Sequence, residues 1–137
     1  MGVILDSSVL IAAERQGQNA RQMLSAVVRK TGNTEVALSV ITLLELAHGA
    51  ARAETLDRKL KREQFIQELV TALPIHPVTA TIALRVGQID GASQAKGIRL
   101  PLADLLIAVT ALELGYAVAT GNLRHFQRIP GVTVTQI

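Results

Sequence analysis

Short apolar segments of strand length alternate with longer segments of helical periodicity along this chain. GVIL at 2–5, EVALS at 35–39 and YAVAT at 116–120 are short and apolar, and amphipathic segments separate them. Parallel strands need long crossover connections, which are usually helices. The alternation therefore predicts an α/β fold in which helices cover both faces of a parallel sheet.

The same periodicity predicts the individual elements. Turn-forming residues bound each of them, and prolines shorten the third strand. The predicted helix at 79–97 is expected to fray at its glycines. The predicted strands are 2–5, 35–39, 74–78, 116–120 and 132–136; the predicted helices are 7–15, 20–30, 40–53, 55–73, 79–97 and 101–115, with a turn at 121–126.

Composition favours one globular domain over residues 1–137, since 49% of the residues are hydrophobic. The absence of cysteine excludes disulfides and thiolate-held metals and suggests a cytoplasmic location. The apolar segment Leu100 to Leu112 is too short to span a bilayer, so no membrane association is expected. A net charge of +3 is compatible with a polyanionic partner, whereas 2% aromatic content argues against a base-stacking platform.

Four polar residues lie just beyond the carboxyl ends of the predicted strands, which is where functional sites of open parallel sheets are usually found. Asp6 follows the first strand, and Glu45 lies early in the helix after the second. Asp104 lies near the start of a helix, and Asn122 follows the strand YAVAT. These positions are far apart in the sequence but are expected to meet at one edge of the sheet.

Each of these residues also has a structural alternative. Asp6 fits a helix N-cap, and TLLE, ending in Glu45, fits a capping box. Asp104 would complement the dipole at a helix start, and Asn122 would suit a turn. Taken together, however, the three acids interrupt apolar stretches without a nearby basic residue. Mutual repulsion at one edge would be relieved by Mg²⁺ or Mn²⁺, which prefers carboxylate and water oxygens.

Four segments in order resemble the motifs of PIN-domain nucleases, and most closely the VapC-type toxins of toxin–antitoxin systems. They are VILDSSVLIA, SVITLLELAHG, PLADLLIAVTA and ATGNLRHFQRIPGV, and together they span most of the chain. The resemblance implies a PIN-like, three-layer α/β/α sandwich around a short, mainly parallel sheet. It also implies an endoribonuclease in which Asp6, Glu45 and Asp104 hold Mg²⁺ or Mn²⁺, and a metal-activated water cleaves RNA.

The resemblance assigns supporting roles to three further residues. Ser7 occupies the position of a hydroxyl residue that orients the first aspartate, and Thr120 and Asn122 match the polar pair of the fourth motif. Asn122 stands where many PIN nucleases have aspartate, which favours one tightly held metal over two. Pro101 stands where these toxins often have glycine, so the loop before Asp104 is expected to differ in shape.

Three partners follow from the resemblance: an RNA substrate, a VapB-type antitoxin that blocks the site, and a second copy of the chain. Two other functions stay open. A non-catalytic PIN-fold scaffold would bind RNA without cutting it, and a phosphatase would use Asp6 as its nucleophile. The phosphatase would need a second aspartate at the position of Ser8.

The remaining candidates are weaker. His48 lies three residues after Glu45 and could touch substrate, but a lone histidine there is more often packing or surface. Neither His76 nor His125 has a spacing that suggests zinc. Arg124 and Arg128 flank the proposed edge and could contact phosphate, although a solvated loop explains them equally well.

Overall fold

The computed structural model describes residues 1–137 as five strands and seven helices. None of the helices is long and apolar enough to cross a membrane. In chain order the elements are β1 (Gly2–Leu5), α1 (Ser7–Arg15), α2 (Ala20–Thr31), β2 (Glu35–Ser39), α3 (Val40–Ala51), α4 (Leu56–Ala72), β3 (Ile75–His76), α5 (Ala80–Ala95), α6 (Leu102–Leu114), β4 (Ala117–Thr120), α7 (Leu123–Gln127) and β5 (Val134–Gln136).

The five strands form one sheet in the order β3-β2-β1-β4-β5, and every pair is parallel. The central strand β1 pairs through Ile4 with Ala37 of β2 on one side and with Val118 of β4 on the other. Because all strands run the same way, their carboxyl ends share one edge. The edge beyond β1, β2 and β4 is where the predicted acids were expected.

Side chains of the central strand point alternately into two separate hydrophobic clusters, as strand geometry requires. Val3 and Leu5 belong to a cluster with α1, α2 and α4, whereas Ile4 belongs to a second cluster with α5, α6 and α7. All four residues of β1 are buried. The sheet therefore has helices on both faces, and the predicted three-layer α/β/α arrangement is confirmed.

Most predicted elements agree with the structure within two residues at each end, but two details are wrong. The predicted turn at 121–126 contains most of α7, a short helix whose Phe126 is fully buried in the second cluster. The predicted fraying of α5 does not occur, since this helix runs unbroken through Gly87 and Gly91. Buried Ile82 and Val86 on its inner face hold α5 against the sheet.

Gly2 is the one strand position where the packing excludes a side chain. A Cβ placed there would lie 2.7 Å from the carbonyl oxygen of Glu35 and 2.8 Å from the Tyr116 ring. We expect Gly2→Ala to lower the free energy of unfolding by about 1–3 kcal/mol, because the neighbouring strand must shift.

The control for this prediction is Gly87→Ala, in the exposed middle of α5, where a Cβ meets nothing within 4 Å. That substitution should raise the free energy of unfolding by about 0.5–1 kcal/mol. Urea unfolding curves of the two variants should shift in opposite directions. Equal shifts would contradict the packing argument at Gly2.

Candidate active site

Asp6 lies at the carboxyl end of β1 and is held there by side chains from two elements. Thr120 Oγ1 donates to Asp6 Oδ2 at 2.9 Å, and Ser8 Oγ donates to the same oxygen at 2.7 Å. The Asp6 backbone N–H donates to the carbonyl of Ala119 on β4. Asp6 occupies the N-cap position of α1, yet its carboxylate makes no capping hydrogen bond. Its orientation is therefore set by β4 and Ser8, not by helix capping.

Ser8, not Ser7, orients the first aspartate. Ser8 lies on the β4 side of α1, where its hydroxyl also accepts a hydrogen bond from the Gly121 backbone N–H at 3.1 Å. Ser7, one residue earlier on the helix, faces the Glu45 side and lowers the pKa of that carboxyl. The role predicted for Ser7 is corrected on this point, because adjacent helical residues point in different directions.

Glu45 lies in the second turn of α3, within the helix rather than at its start. Ser39 caps this helix by accepting from the Ile41 N–H, and Thr42 instead donates to the carbonyl of Leu5. The capping-box alternative for Glu45 is therefore wrong. Burial raises the pKa of Glu45, opposed by Ser7 and reinforced by the charges of Asp6 and Asp104. Its Oε1 is buried without a hydrogen-bond partner.

Asp104 lies in the first turn of α6, with 8% of its surface exposed. Burial raises its pKa and the Asp6 charge raises it further, whereas His125 lowers it. His125 Nδ1 lies 3.4 Å from Asp104 Oδ2, within ion-pair distance but without hydrogen-bond geometry, so this buried oxygen has no hydrogen-bond partner. A helix dipole alone would not require a carboxylate to be buried in this way.

The charges of the three acids repel one another at this edge of the sheet. Asp6 raises the pKa of both Glu45 and Asp104, so each carboxylate is close enough to be repelled by its charge. In this structure no group of three or more acidic or histidine side chains lies close enough together to hold a metal ion. Even so, buried carboxylate oxygens without partners are rare, and two of them beside a third acid are what a hard cation would satisfy. The donor set fits Mg²⁺ or Mn²⁺.

The polar pair of the fourth motif contributes in two different ways. Thr120 is fully buried, and its Oγ1 accepts from the Asn122 backbone N–H at 2.9 Å. Asn122 occupies the N-cap position of α7, but its side chain makes no capping hydrogen bond and is exposed. Thr120 thus supports Asp6 directly, while the amide of Asn122 stays free at the same edge of the sheet.

Two residues of the site were missed by reasoning from the sequence. The sequence marks Ser8 only as the residue at the position of a phosphatase's second aspartate, and His125 only as a histidine whose spacing does not suggest zinc. Ser8 lies only two residues after Asp6, but its bond to that carboxylate depends on the side of α1 that faces Thr120 of β4, and His125 meets Asp104 only after the chain folds back. His48 is exposed and makes no ion pair.

The hydrogen bonds of Thr120 can be tested through stability. In Thr120→Val, Asp6 loses one donor and the Asn122 N–H loses its acceptor, so the free energy of unfolding should fall by about 1–3 kcal/mol. Thr71→Val is the control, since its exposed hydroxyl bonds only the Gln67 carbonyl of its own helix, and it should change stability by less than about 0.5 kcal/mol. Equal losses in urea unfolding would argue against the Thr120–Asp6 contact.

An α/β/α sandwich with acids from three elements at the carboxyl edge of its sheet is the arrangement expected of a PIN-type nuclease. The sequence profile of the PIN domain matches residues 3–132. The chain therefore belongs to the PIN domain family, and its similar relatives place it among the VapC ribonucleases.

Relatives named as VapC proteins match over most of the chain. Ribonuclease VapC10 of Mycobacterium tuberculosis is 35% identical over 124 residues, covering 90% of this chain and 85% of the relative. Ribonuclease VapC1 of Rickettsia felis is 28% identical over 137 residues, covering 100% and 97%. The tRNA(fMet)-specific endonuclease VapC of Salmonella typhimurium is 32% identical over 101 residues, covering 74% of each.

Solved structures agree with this assignment. The DNA-bound VapBC structure from Salmonella typhimurium superposes with a TM-score of 0.78 at 28% identity, covering 99% of this chain and 98% of that one. VapBC2 of Rickettsia felis, bound to a DNA fragment from its promoter, gives a TM-score of 0.83 at 22% identity, covering 100% and 99%. The latter likeness supports the fold alone.

Proposed function

We propose that this protein is a metal-dependent endoribonuclease and the toxin of a VapBC-type toxin–antitoxin pair. The observation that carries the proposal is the pair of buried, unpartnered oxygens, Glu45 Oε1 and Asp104 Oδ2, beside the charge of Asp6. Membership of the PIN domain family and the ribonuclease names of the relatives support the reaction type.

Asp6, Glu45 and Asp104 are the residues that would hold Mg²⁺ or Mn²⁺. A bound ion of this kind supplies a water activated as a nucleophile and neutralises charge that develops on the phosphate. Thr120 and Ser8 fix the orientation of Asp6 through its Oδ2, which leaves Oδ1 without either of those bonds. Asn122, whose side chain is exposed and makes no capping hydrogen bond, would orient water or substrate at the same edge.

We propose RNA, a VapB-type antitoxin and a second copy of the chain as its partners. Several neighbours in structure are VapBC complexes, which supports the antitoxin. A groove that begins at Glu45 gives an antitoxin segment an apolar surface beside the acids, and Leu10, Ile11, Phe65 and Ile66 line part of it. A segment seated there would cover Glu45 and block the site.

The non-catalytic scaffold remains the second candidate, because Asn122 brings no charge to the fourth position. The phosphatase is disfavoured, since Ser8 stands in place of its second aspartate and donates to Asp6. The scaffold would bind RNA and leave it whole.

A cleavage assay separates these functions. Purified protein is incubated with 5′-labelled single-stranded RNA and MgCl₂ or MnCl₂, and products are resolved by length while binding is followed by fluorescence anisotropy. We expect internal cuts from the unmodified chain and RNA binding without cuts from Asp6→Asn. RNA that is bound but never cut by the unmodified chain would favour the scaffold.

A further inference from the structure

A groove of about 480 Å³ lies beside the acidic edge and is lined entirely by polar residues and a proline. Three arginines, Arg99, Arg124 and Arg128, supply its charge, and no hydrophobic side chain contributes to it. Arg99 comes from the loop before α6, whereas the other two come from α7 and its C-cap. The fold thus brings cations from two separate segments to one surface.

The charges of these arginines are not neutralised within the protein. Arg62 and Arg85 are the arginines that form ion pairs with carboxylates, and neither lines this groove. Arg128 donates to the carbonyl oxygen of Arg99 at 2.6 Å, which uses only part of its donor capacity. The groove therefore presents three guanidinium groups to solvent, with no acid among its lining residues.

The groove adjoins the acidic site through His125. This residue lines the groove, and its Nδ1 lies 3.4 Å from Asp104 Oδ2. Pro101, at the N-cap of α6, also lines it, and no side chain caps this helix. The positive end of the α6 dipole lies at this side of the groove, and Asp104 in the first turn of the helix offsets part of it. An anion bound in the groove would lie beside the acidic site but outside it.

We propose that the groove of Arg99, Arg124 and Arg128 binds the phosphodiester backbone of the RNA beside the bond that is cut. The inference rests on the proposed function and identifies residues that hold its substrate. Planar guanidinium groups match phosphate oxygens, and a continuous backbone offers a second phosphate one nucleotide from the scissile one. Low aromatic content agrees with recognition through phosphate rather than through stacked bases.

An acidic protein segment is the competing occupant, but the lining does not suit it. Protein segments anchor themselves through apolar or aromatic side chains in well-packed pockets, and this groove contains none. A phosphodiester backbone needs only charge and hydrogen-bond donors, both of which the groove supplies.

The test uses Arg99→Ala with Arg124→Ala, because Arg128 also ties α7 to the loop before α6. The control is Arg21→Ala with Arg29→Ala, which removes the same charge from the exposed surface of α2 in the opposite helical layer. Anisotropy of fluorescein-labelled single-stranded RNA is measured in EDTA at several NaCl concentrations, and kcat and KM are measured separately with MgCl₂.

We expect the groove variant to bind RNA about tenfold more weakly at low salt, with a salt slope reduced by about 1.4 for two lost phosphate contacts. Its KM should rise while kcat changes little, and the α2 control should stay within about twofold of the unmodified chain. Excess poly-uridylate should displace the labelled RNA from the unmodified chain, and poly-glutamate of equal charge should do so much less effectively, because its carboxylates are not spaced along the chain as the phosphates of RNA are.

Two results would overturn the groove assignment: equal RNA affinity in both double variants, or displacement by poly-glutamate as effective as by poly-uridylate. The proposed function fails in a different way. If the protein binds RNA through the groove but never cuts it, the groove assignment stands and the proposed nuclease function fails. If the protein cuts RNA and the groove variant has an unchanged KM, the nuclease function stands and the groove assignment fails.

Discussion

Replacing Asp104 with asparagine is expected to reduce RNA cleavage by about 10²–10³-fold or more while leaving the fold intact. Asparagine keeps the size of the side chain but supplies no negative charge to a cation. Charge placed in a water-poor site contributes strongly to stabilising the transition state, which sets the size of the loss. Initial rates of cleavage under saturating MgCl₂ would measure it.

The same substitution should stabilise the metal-free protein at neutral pH. The pKa of Asp104 is raised by burial and by Asp6, so the folded state holds its proton more tightly than the unfolded state. Stability therefore falls as pH rises from the ordinary value of 3.8 through the raised pKa, and the ionised group is a net cost at neutral pH. The gain in the free energy of unfolding of Asp104→Asn should shrink as the pH is lowered toward 3.8, because protonation of Asp104 then removes the same charge from the unmodified protein.

Asp57→Asn is the matched control for these effects. Asp57 also lies in the first turn of a helix, but it is exposed and paired with Lys61 at 3.3 Å. Its loss should cost about 0.3–1 kcal/mol through the helix dipole and leave cleavage unchanged. If Asp104→Asn behaved like this control in thermal melts with EDTA and still cut RNA, Asp104 would be a helix-dipole residue and not a metal ligand.

The features predicted correctly from the sequence are those that depend on local patterns. The strands β1 and β2 were bounded correctly because their apolar runs end at polar or turn-forming residues, and strand–helix alternation fixed the parallel sheet. The approach of Asp6 to Glu45 and Asp104 was predictable as well, because in a parallel sheet each of these residues is expected at the edge where the strands end.

The features that failed depend on contacts between distant segments. Nothing near 121–126 indicates that Phe126 will be buried under α6, so a polar stretch that looks like a turn becomes helix α7. The choice between Ser7 and Ser8 depends on which side of α1 faces β4, and adjacent serines carry no such information. The arginine groove likewise exists only because α7 folds back onto the loop before α6.

Removing divalent metal is expected to have the largest effect on the reaction. Cleavage should stop in EDTA and return when MgCl₂ or MnCl₂ is added in excess. The products should carry 5′-phosphate and 3′-hydroxyl ends, because in-line attack by water expels the 3′ oxygen. Ligation or phosphatase sensitivity of the fragments would identify the ends. Full cleavage in EDTA would remove the metal from the proposal.

Metal binding should also appear as stability, independently of activity. At a concentration 100 times its Kd, a ligand that binds only the folded state adds about 2.7 kcal/mol, so MgCl₂ should raise the Tm by several degrees over KCl of equal ionic strength. The gain should be smaller in Asp104→Asn. The magnesium-dependent rise in Tm should also decline as the pH falls, and at a higher pH than it would if the carboxylates had ordinary pKa values. The reason is that the pKa values of Glu45 and Asp104 are raised and protons compete with the metal for them. A magnesium effect that KCl reproduces, or that does not change as pH falls, would show that Mg²⁺ acts by screening surface charge and not by binding between these acids.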